Sequence, residues 1–147
     1  MEKEFVKVRS MKDILTDIIL AVSGVTMILC PLPASLNLLG WLLLFSGAAT
    51  AIFMKTGYKD KDSGARYMKT ERYFAQDMKE TISMALRDNK AFDGSREDSG
   101  TAVRLDIYSS RKSGKAYLRL FSYIPYRYEP CTGMYEFDLS EAEKFVK

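Results

Sequence analysis

Cations and aromatic rings are concentrated in one 25-residue stretch of this sequence, and their chemistry points to a ligand. The candidate ligand-binding residues are Arg104, Lys115, Tyr117, Arg119, Tyr123 and Arg127. Guanidinium groups pair bidentately with phosphate or carboxylate, and tyrosine rings stack on flat ligands such as bases. We therefore predict a surface for an anionic or nucleotide-like ligand. The alternative is an ordinary solvated sheet face, because tyrosine favours strands and arginine stems pack over them.

The groups that usually perform acid–base, nucleophilic and metal chemistry are missing. The sequence has no histidine, which removes the most common general base and metal ligand. Cys131 has no histidine to activate its thiol, and the carboxylates of Asp60 and Asp62 alternate with lysines, as in a solvated linker. We therefore expect no catalytic residue, no metal site, no cofactor and no enzyme activity.

The net charge of residues 55–147 limits the kind of partner that this part of the chain can bind. Residues 55–147 hold 18 Lys and Arg against 15 Asp and Glu, a net charge of +3. This excess is too small for a protein that binds double-stranded nucleic acid through many phosphate contacts, so we expect no such partner. Docking of the basic face on anionic lipid is a third possibility, beside ligand binding and an ordinary solvated face.

A long uncharged segment dominates the N-terminal third of the chain. The 37 residues Ile18–Met54 contain no Asp, Glu, Lys or Arg. A bilayer core needs about 20 apolar residues in helical form, so this region predicts two membrane spans joined by a proline-containing turn. The predicted spans are residues 14–32 and 36–54. Two alternatives are a buried pair of helices in a soluble protein and a cleaved signal peptide.

Asp17 is the one charge expected inside the predicted membrane region, about one helical turn from its start. A carboxylate there needs a partner or water, and Lys55 or Lys12 is the expected partner. Small residues in the two spans let helices approach closely. The predicted packing face consists of Gly24, Gly40, Gly47 and Ala51. It predicts either packing within one chain or a homo-oligomer.

Basic residues flank the apolar segment at both of its outer ends, whereas the turn between the predicted spans has none. They are Lys3, Lys7, Arg9 and Lys12 before it, and Lys55, Lys59, Lys61, Arg66 and Lys69 after it. Because positive residues stay on the cytoplasmic side, we predict an integral protein of the plasma or bacterial inner membrane. Both termini and the segment Lys55–Lys147 would then be cytoplasmic, and membrane lipid is an expected partner.

The remaining sequence predicts a small α+β domain. No Gly or Pro interrupts Ala65–Asp88, and apolar residues recur there at helical spacing, which predicts a long amphipathic helix. Alternating apolar residues predict antiparallel strands at 103–108, 115–124 and 134–139. Ser140 and Glu143 form a capping-box pattern that opens a short C-terminal helix.

The predicted fold class is therefore a two-helix transmembrane hairpin followed by a small cytosolic α+β domain, with one long helix, a three-stranded sheet and a short terminal helix. The predicted ranges are 1–13 for a cytosolic N-terminal segment, 14–54 for the hairpin, 55–64 for a linker and 65–147 for the domain.

Together these features favour a non-enzymatic integral membrane protein with a cytosolic binding or regulatory domain, such as an adaptor or assembly subunit. The alternative is an effector that disrupts the membrane when a nucleotide-like ligand binds its cytosolic domain. In layout, the chain is similar to membrane effectors of nucleotide-signalling defence systems, and that similarity implies the alternative.

Overall fold

The computed structural model describes residues 3–146, which divide into two compact units. One unit runs from Lys7 to Tyr58 and is mainly helical. The other, which we call the sheet unit, combines the residues up to Val6 with those from Lys59 onward. The strands are β1 (Phe5–Val8), β2 (Gly57–Asp60), β3 (Arg66–Phe74), β4 (Val103–Ser110), β5 (Lys115–Ile124), β6 (Arg127–Pro130) and β7 (Tyr135–Asp138). The helices are α1 (Met11–Leu29), α2 (Ala34–Phe53), α3 (Met78–Arg87) and α4 (Leu139–Val146), with a 3-10 turn at Gly94–Arg96.

The seven strands form one sheet in the order β1-β2-β3-β4-β5-β6, and β7 pairs with β5 beside β6. The pairings from β3 to β7 are antiparallel. The central register places Arg72 opposite Leu105 and Leu105 opposite Leu120. Since β5 is ten residues long, its first half pairs with β7 and its second half with β6.

The hydrophobic core lies on one face of this sheet, beneath α3 and α4. Alternate residues of β3, β4 and β5 point into it, and each helix contributes one apolar stripe. Its largest fully buried members are Phe74, Ile82, Leu86, Val103, Leu105, Ile107, Leu118, Leu120 and Phe145. Fully burying one such side chain stabilises the fold by about 1.5–3 kcal/mol. The sheet unit therefore has a complete core of its own.

Arg72 is a buried charged residue on the core side of β3, and both terminal nitrogens of its guanidinium have partners there. Its guanidinium donates to the carbonyl of Phe145 near the end of α4 and lies 2.8 Å from Glu97. The same group lies over the rings of Phe74 and Phe92, at 5.4 and 5.8 Å from their centroids. Arg72 thus ties α4 and the loop that contains Glu97 to the sheet.

In the helical unit, a capping box opens α1. The Ser10 side chain accepts from the Asp13 N–H, and Asp13 accepts from the Ser10 N–H at 2.8 Å. Asp13 also accepts from the N–H and the hydroxyl of Thr56, at 2.9 and 2.6 Å. Thr56 follows α2, so these bonds hold the two ends of the helical unit side by side. Pro33 stands at the N-cap of α2, where a missing N–H costs nothing.

Among the described residues, only α2 is long and apolar enough to cross a membrane. Just 11% of its most apolar stretch is buried within the structure. α1 fails the same criterion because Lys12, Asp13 and Asp17 all lie within its first two turns. The predicted two-helix transmembrane hairpin is therefore wrong, since one helix qualifies rather than two.

The predicted three-stranded sheet and long helix are also wrong. The segment expected to form one helix over Ala65–Asp88 divides into β3 and α3, because residues 66–74 alternate between two faces as a strand does. Arg127–Pro130, which follows directly after Tyr126, pairs as β6, and β1 and β2 add two more strands. The predicted domain ranges stay predictions, and their ends at residues 1, 2 and 147 lie outside the described residues.

Asp60 ends β2 and organises the turn that leads into β3. It is fully buried and accepts from Lys3 Nζ at 2.9 Å and from the Ser63 hydroxyl at 2.5 Å. Burial raises the pKa of this carboxyl, but the hydrogen bonds from Lys3, Ser63 and the Asp62 N–H outweigh it and lower the pKa to about 2. The charged form of Asp60 therefore stabilises the folded state.

We expect Asp60→Asn to lower the melting temperature of the full chain at neutral pH, and the difference from wild type to disappear in acid. The folded-state pKa of about 2 lies below the ordinary value of 3.8. The stabilisation is therefore complete above the ordinary pKa and is lost as pH falls through the folded-state pKa. Thermal melts from pH 2 to pH 7 measure this. Asp62→Asn removes the same charge from an exposed side chain and is the control. A difference that persists unchanged at pH 2 would contradict the assignment.

Candidate functional site

The face of the sheet opposite the core, which we call the outer face, carries most of the residues whose chemistry could bind a ligand. β3 contributes Tyr67, Lys69, Glu71 and Tyr73, β4 contributes Arg104, Asp106 and Tyr108, and β5 contributes Lys115, Tyr117, Arg119 and Phe121. The register places Asp106 opposite Arg119 and Tyr108 opposite Tyr117. Period two along the strands explains this separation, since apolar residues alternate with these polar and aromatic ones.

Asp106 is the electrostatic centre of the outer face. Its side chain is 1% exposed and lies 2.8 Å from Lys69 Nζ and 2.8 Å from Arg104 Nε. Burial raises the pKa of Asp106, although both cations act in the opposite direction. Arg104 also lies over the rings of Phe121 and Tyr128, at 4.8 and 4.5 Å from their centroids. Arg104, a predicted ligand-binding residue, therefore already has an ion pair and two aromatic neighbours.

Phe5 of β1 covers one end of the outer face. Its ring stacks on Tyr108 at 4.2 Å with an angle of 4° between the planes, and it meets Tyr67 edge-on at 5.2 Å. Tyr117 lies beside these rings, 5.7 Å from Phe5, and is only 5% exposed. Aromatic pairs at such distances are favourable beyond their buried area. Tyr117 is thus largely a packing residue, with one edge left toward solvent.

Beside this aromatic cluster lies a cleft of about 530 Å³, which we call the Arg119 cleft. Its lining residues are Lys3, Tyr117, Arg119, Thr132, Gly133, Met134 and Glu136. β5 positions Arg119, while pairing of β7 with β5 brings Glu136 opposite Tyr117. The Thr132 hydroxyl accepts from the Leu120 N–H at 3.1 Å, which holds the loop against β5.

Three charged residues line the Arg119 cleft, namely Lys3, Arg119 and Glu136. Glu136 pairs with Lys115, and that hydrogen bond lowers the pKa of Glu136. Lys3 pairs with Asp60 at 2.9 Å. Burial, together with the negative charge of Glu136, raises the pKa of Tyr117, so its hydroxyl stays protonated. A guanidinium, a phenol and the Thr132 hydroxyl fit recognition of an anionic or polar group.

The structure divides the predicted ligand-binding residues among three places. Tyr117 and Arg119 line the cleft, and Lys115 adjoins it through Glu136. Arg104 lies in the ion-pair network of Asp106. Tyr123 and Arg127 lie at the far end of β5 and in β6, where Tyr123 is 50% exposed and Arg127 pairs with Glu129 at 2.5 Å. No observation shows whether these six residues bind a ligand, so the site stays a prediction.

Local sequence patterns did not identify several residues of the cleft, or Phe5 of the aromatic cluster beside it. Lys3 and Phe5 belong to an N-terminal segment that reads only as a basic flank, although Phe5–Val8 (FVKV) does carry short strand-like character. Thr132, Gly133 and Met134 have no chemical signature, and Glu136 joins the site only through the β5–β7 pairing. Among residues 3–146 there is no group of three or more His, Cys, Asp or Glu arranged to hold a metal ion.

The predicted packing residues lie within the helical unit, where α1 and α2 contact each other. A Cβ added to Gly24 would lie 2.7 Å from the Gly40 carbonyl oxygen, so the absent side chains allow the backbones to approach. Gly47 faces Leu20 in the same contact, and Ala51 lines a shallow groove that includes Asp17. These contacts use the small residues within one chain. The homo-oligomer stays a prediction.

Asp17 finds partners other than the lysines expected from the sequence. Its carboxylate pairs with Arg9, which precedes α1, and accepts from the Thr50 hydroxyl at 2.6 Å. Both contacts lie inside the helical unit. This carboxylate is thereby paired without Lys12 or Lys55.

No protein-family model matches this sequence, and comparisons with curated proteins and with solved structures found no significant match.

Proposed function

We propose that this protein is a non-enzymatic, membrane-anchored binding protein. In this proposal α2 holds the chain in a bilayer, and the sheet unit captures an anionic ligand or partner group in the Arg119 cleft. The observation that carries the proposal is the exposure of apolar side chains along α2, including Leu38 at 63%, Phe45 at 65% and Phe53 at 81%. Large contiguous apolar surfaces of this kind are rare on soluble monomers.

Lipid is the cover that fits the chemistry of α2. Its 20 residues correspond to about 30 Å of helix, which matches the hydrocarbon thickness of a bilayer. It contains no charged residue, and the single proton of the Thr50 hydroxyl has acceptors within reach, the Asp17 carboxylate at 2.6 Å and the carbonyls of Ser46 and Gly47. Each of these features lowers the cost of placing α2 in lipid.

The proposed orientation places the C-terminal end of α2 on the cytoplasmic side. Lys55, Lys59 and Lys61 follow α2 in the sequence, whereas Cys30–Pro33, which precedes α2, has no charge. Basic residues stay on the cytoplasmic side of a membrane, so this difference in charge favours that orientation.

Lysines placed on α2 should release the protein from membranes. The double substitution Leu42→Lys and Phe45→Lys puts two charges on side chains that are 56% and 65% exposed. Each charge costs about 2.5–3.5 kcal/mol near the bilayer centre. We expect the wild-type full chain, expressed in bacteria, to stay in the membrane pellet after alkaline carbonate washing and to dissolve only in detergent. The double variant should be lost from that pellet.

The matched control adds two lysines to exposed apolar side chains of the sheet unit, Met84→Lys and Tyr126→Lys, which are 50% and 99% exposed. It should remain in the pellet like the wild type. Release of the wild type by carbonate without detergent would contradict membrane anchoring.

The binding half of the proposal depends on Arg119. A guanidinium beside hydroxyl donors recognises phosphate and carboxylate groups, and the cleft of about 530 Å³ lies within the usual size range of small-molecule sites. The neighbouring tyrosines provide an aromatic wall. A nucleoside monophosphate combines an anion with a flat ring and is therefore the simplest probe of this chemistry.

We expect the full chain in neutral detergent to bind adenosine monophosphate more tightly than adenosine, because only the former carries a charge for Arg119. Arg119→Gln should weaken the binding of adenosine monophosphate about ten-fold or more, the loss expected for one charged hydrogen-bonded contact, and should leave the binding of adenosine unchanged. Isothermal titration measures both ligands. Arg87→Gln removes an equal charge from an exposed side chain paired with Asp88 and should bind as the wild type does. Equal effects of the two substitutions, or equal binding of the two ligands, would contradict the proposal.

A further inference from the structure

A second cavity, of about 490 Å³, lies between two turns of the sheet unit, the β2–β3 turn and the β4–β5 turn. We call it the turn pocket. Its lining residues are Ser63, Gly64, Ala65, Arg66, Ser110, Lys112 and Ser113. It shares none of them with the Arg119 cleft. Two cations and three hydroxyls converge there, and no carboxylate lines it.

The two cations of the turn pocket are available to a ligand. Arg66 and Lys112 both have exposed side chains. Among residues 3–146, no carboxylate forms an ion pair with either of them, whereas Lys69, Lys115, Arg104 and Arg127 all have acidic partners. The turn pocket therefore has a local positive charge that its own walls do not neutralise.

The hydroxyls of Ser110 and Ser113 provide two further donors. Ser110 is 5% exposed, and its oxygen accepts the Ser113 N–H at 3.4 Å, which leaves its own proton for another acceptor. The Ser113 hydroxyl lies 3.3 Å from the Tyr67 hydroxyl and 3.5 Å from the Ser110 carbonyl oxygen, both long contacts. A stronger acceptor in the pocket would take these protons.

Asp62 and Asp60 are the carboxylates nearest to the pocket in the sequence, and neither of them lines it. The Ser63 hydroxyl donates to Asp60 at 2.5 Å, and Lys3 lies 2.9 Å from the same carboxylate. Lys3 thereby balances the charge of Asp60, which does not line the pocket. Ser63 shapes the wall of the pocket and does not supply a donor, since its proton is already used.

We propose that the turn pocket binds a phosphate group. Phosphate presents several acceptor oxygens in a compact tetrahedron, and Arg66, Lys112, Ser110 and Ser113 offer donors from two turns around one cavity. The phosphate can belong to a soluble molecule or to the headgroup of an anionic lipid, since the chemistry is the same. This inference does not depend on the Arg119 cleft.

The test uses the full chain in neutral detergent and two probes. All proteins carry Arg119→Gln, so the Arg119 cleft does not contribute to binding. Inorganic phosphate, titrated by calorimetry, tests a soluble source. Native mass spectrometry in micelles with equal phosphatidylglycerol and phosphatidylcholine tests an anionic lipid source. Arg66→Gln and Lys112→Gln are the test variants. Arg111→Gln is the matched control, because Arg111 is an exposed neighbour of Lys112 that does not line the pocket.

We expect binding in at least one arm, weakened about ten-fold or more by Arg66→Gln and by Lys112→Gln, and changed less than about two-fold by Arg111→Gln. Phosphate binding identifies a soluble source, and preferential adducts of phosphatidylglycerol identify the lipid source. Absence of binding in both arms would overturn the proposal. An equal loss in Arg111→Gln would also overturn it, because binding would then reflect the overall charge of the turn.

Discussion

The apolar surface of α2 is the constraint on which the rest of the account depends. This helix has 20 residues without a charge, and only 11% of its most apolar stretch is buried by the chain itself. At about 25 cal/mol per Å² of apolar surface, leaving such a helix in water is costly. The apolar side chains of β3, β4 and β5 already fill the core beneath α3 and α4. Lipid is the cover that we propose for α2.

In the sheet unit, polar and apolar residues lie on opposite faces of the sheet. Alternation along three long strands separates a dry face from one rich in ions and aromatic rings. On that outer face Asp106 forms ion pairs with both Lys69 and Arg104, and Phe5 stacks on Tyr108 at one end. Most of the charged and aromatic side chains of the outer face are therefore in contact with one another. Arg119 at the cleft, and Arg66 with Lys112 at the turn pocket, are the cations around which ligand binding is proposed.

The sequence predicts the elements whose period is long and uninterrupted, which is why strands are found where residues 103–108 and 115–124 alternate. It fails at Ala65–Asp88. Met78, Ile82 and Ala85 do recur at helical spacing in α3. Phe74 continues the same spacing although it belongs to β3, and no Gly or Pro marks the boundary between the strand and the helix. The prediction of a two-helix membrane hairpin is wrong because three charged residues, Lys12, Asp13 and Asp17, lie within α1. Cleft residues such as Lys3 and Glu136 come together through pairing between distant segments, which local patterns do not encode.

Trp41 offers the most direct measurement of membrane anchoring, because it is the only tryptophan in the chain and lies on α2, where it is 44% exposed. Its fluorescence therefore reports the surroundings of α2 alone. In liposomes that contain phospholipids brominated on their acyl chains, we expect the brominated chains to quench the fluorescence of Trp41 strongly. We expect aqueous iodide to quench it little. Quenching by iodide without quenching by the brominated lipid would place α2 in water and contradict the central claim.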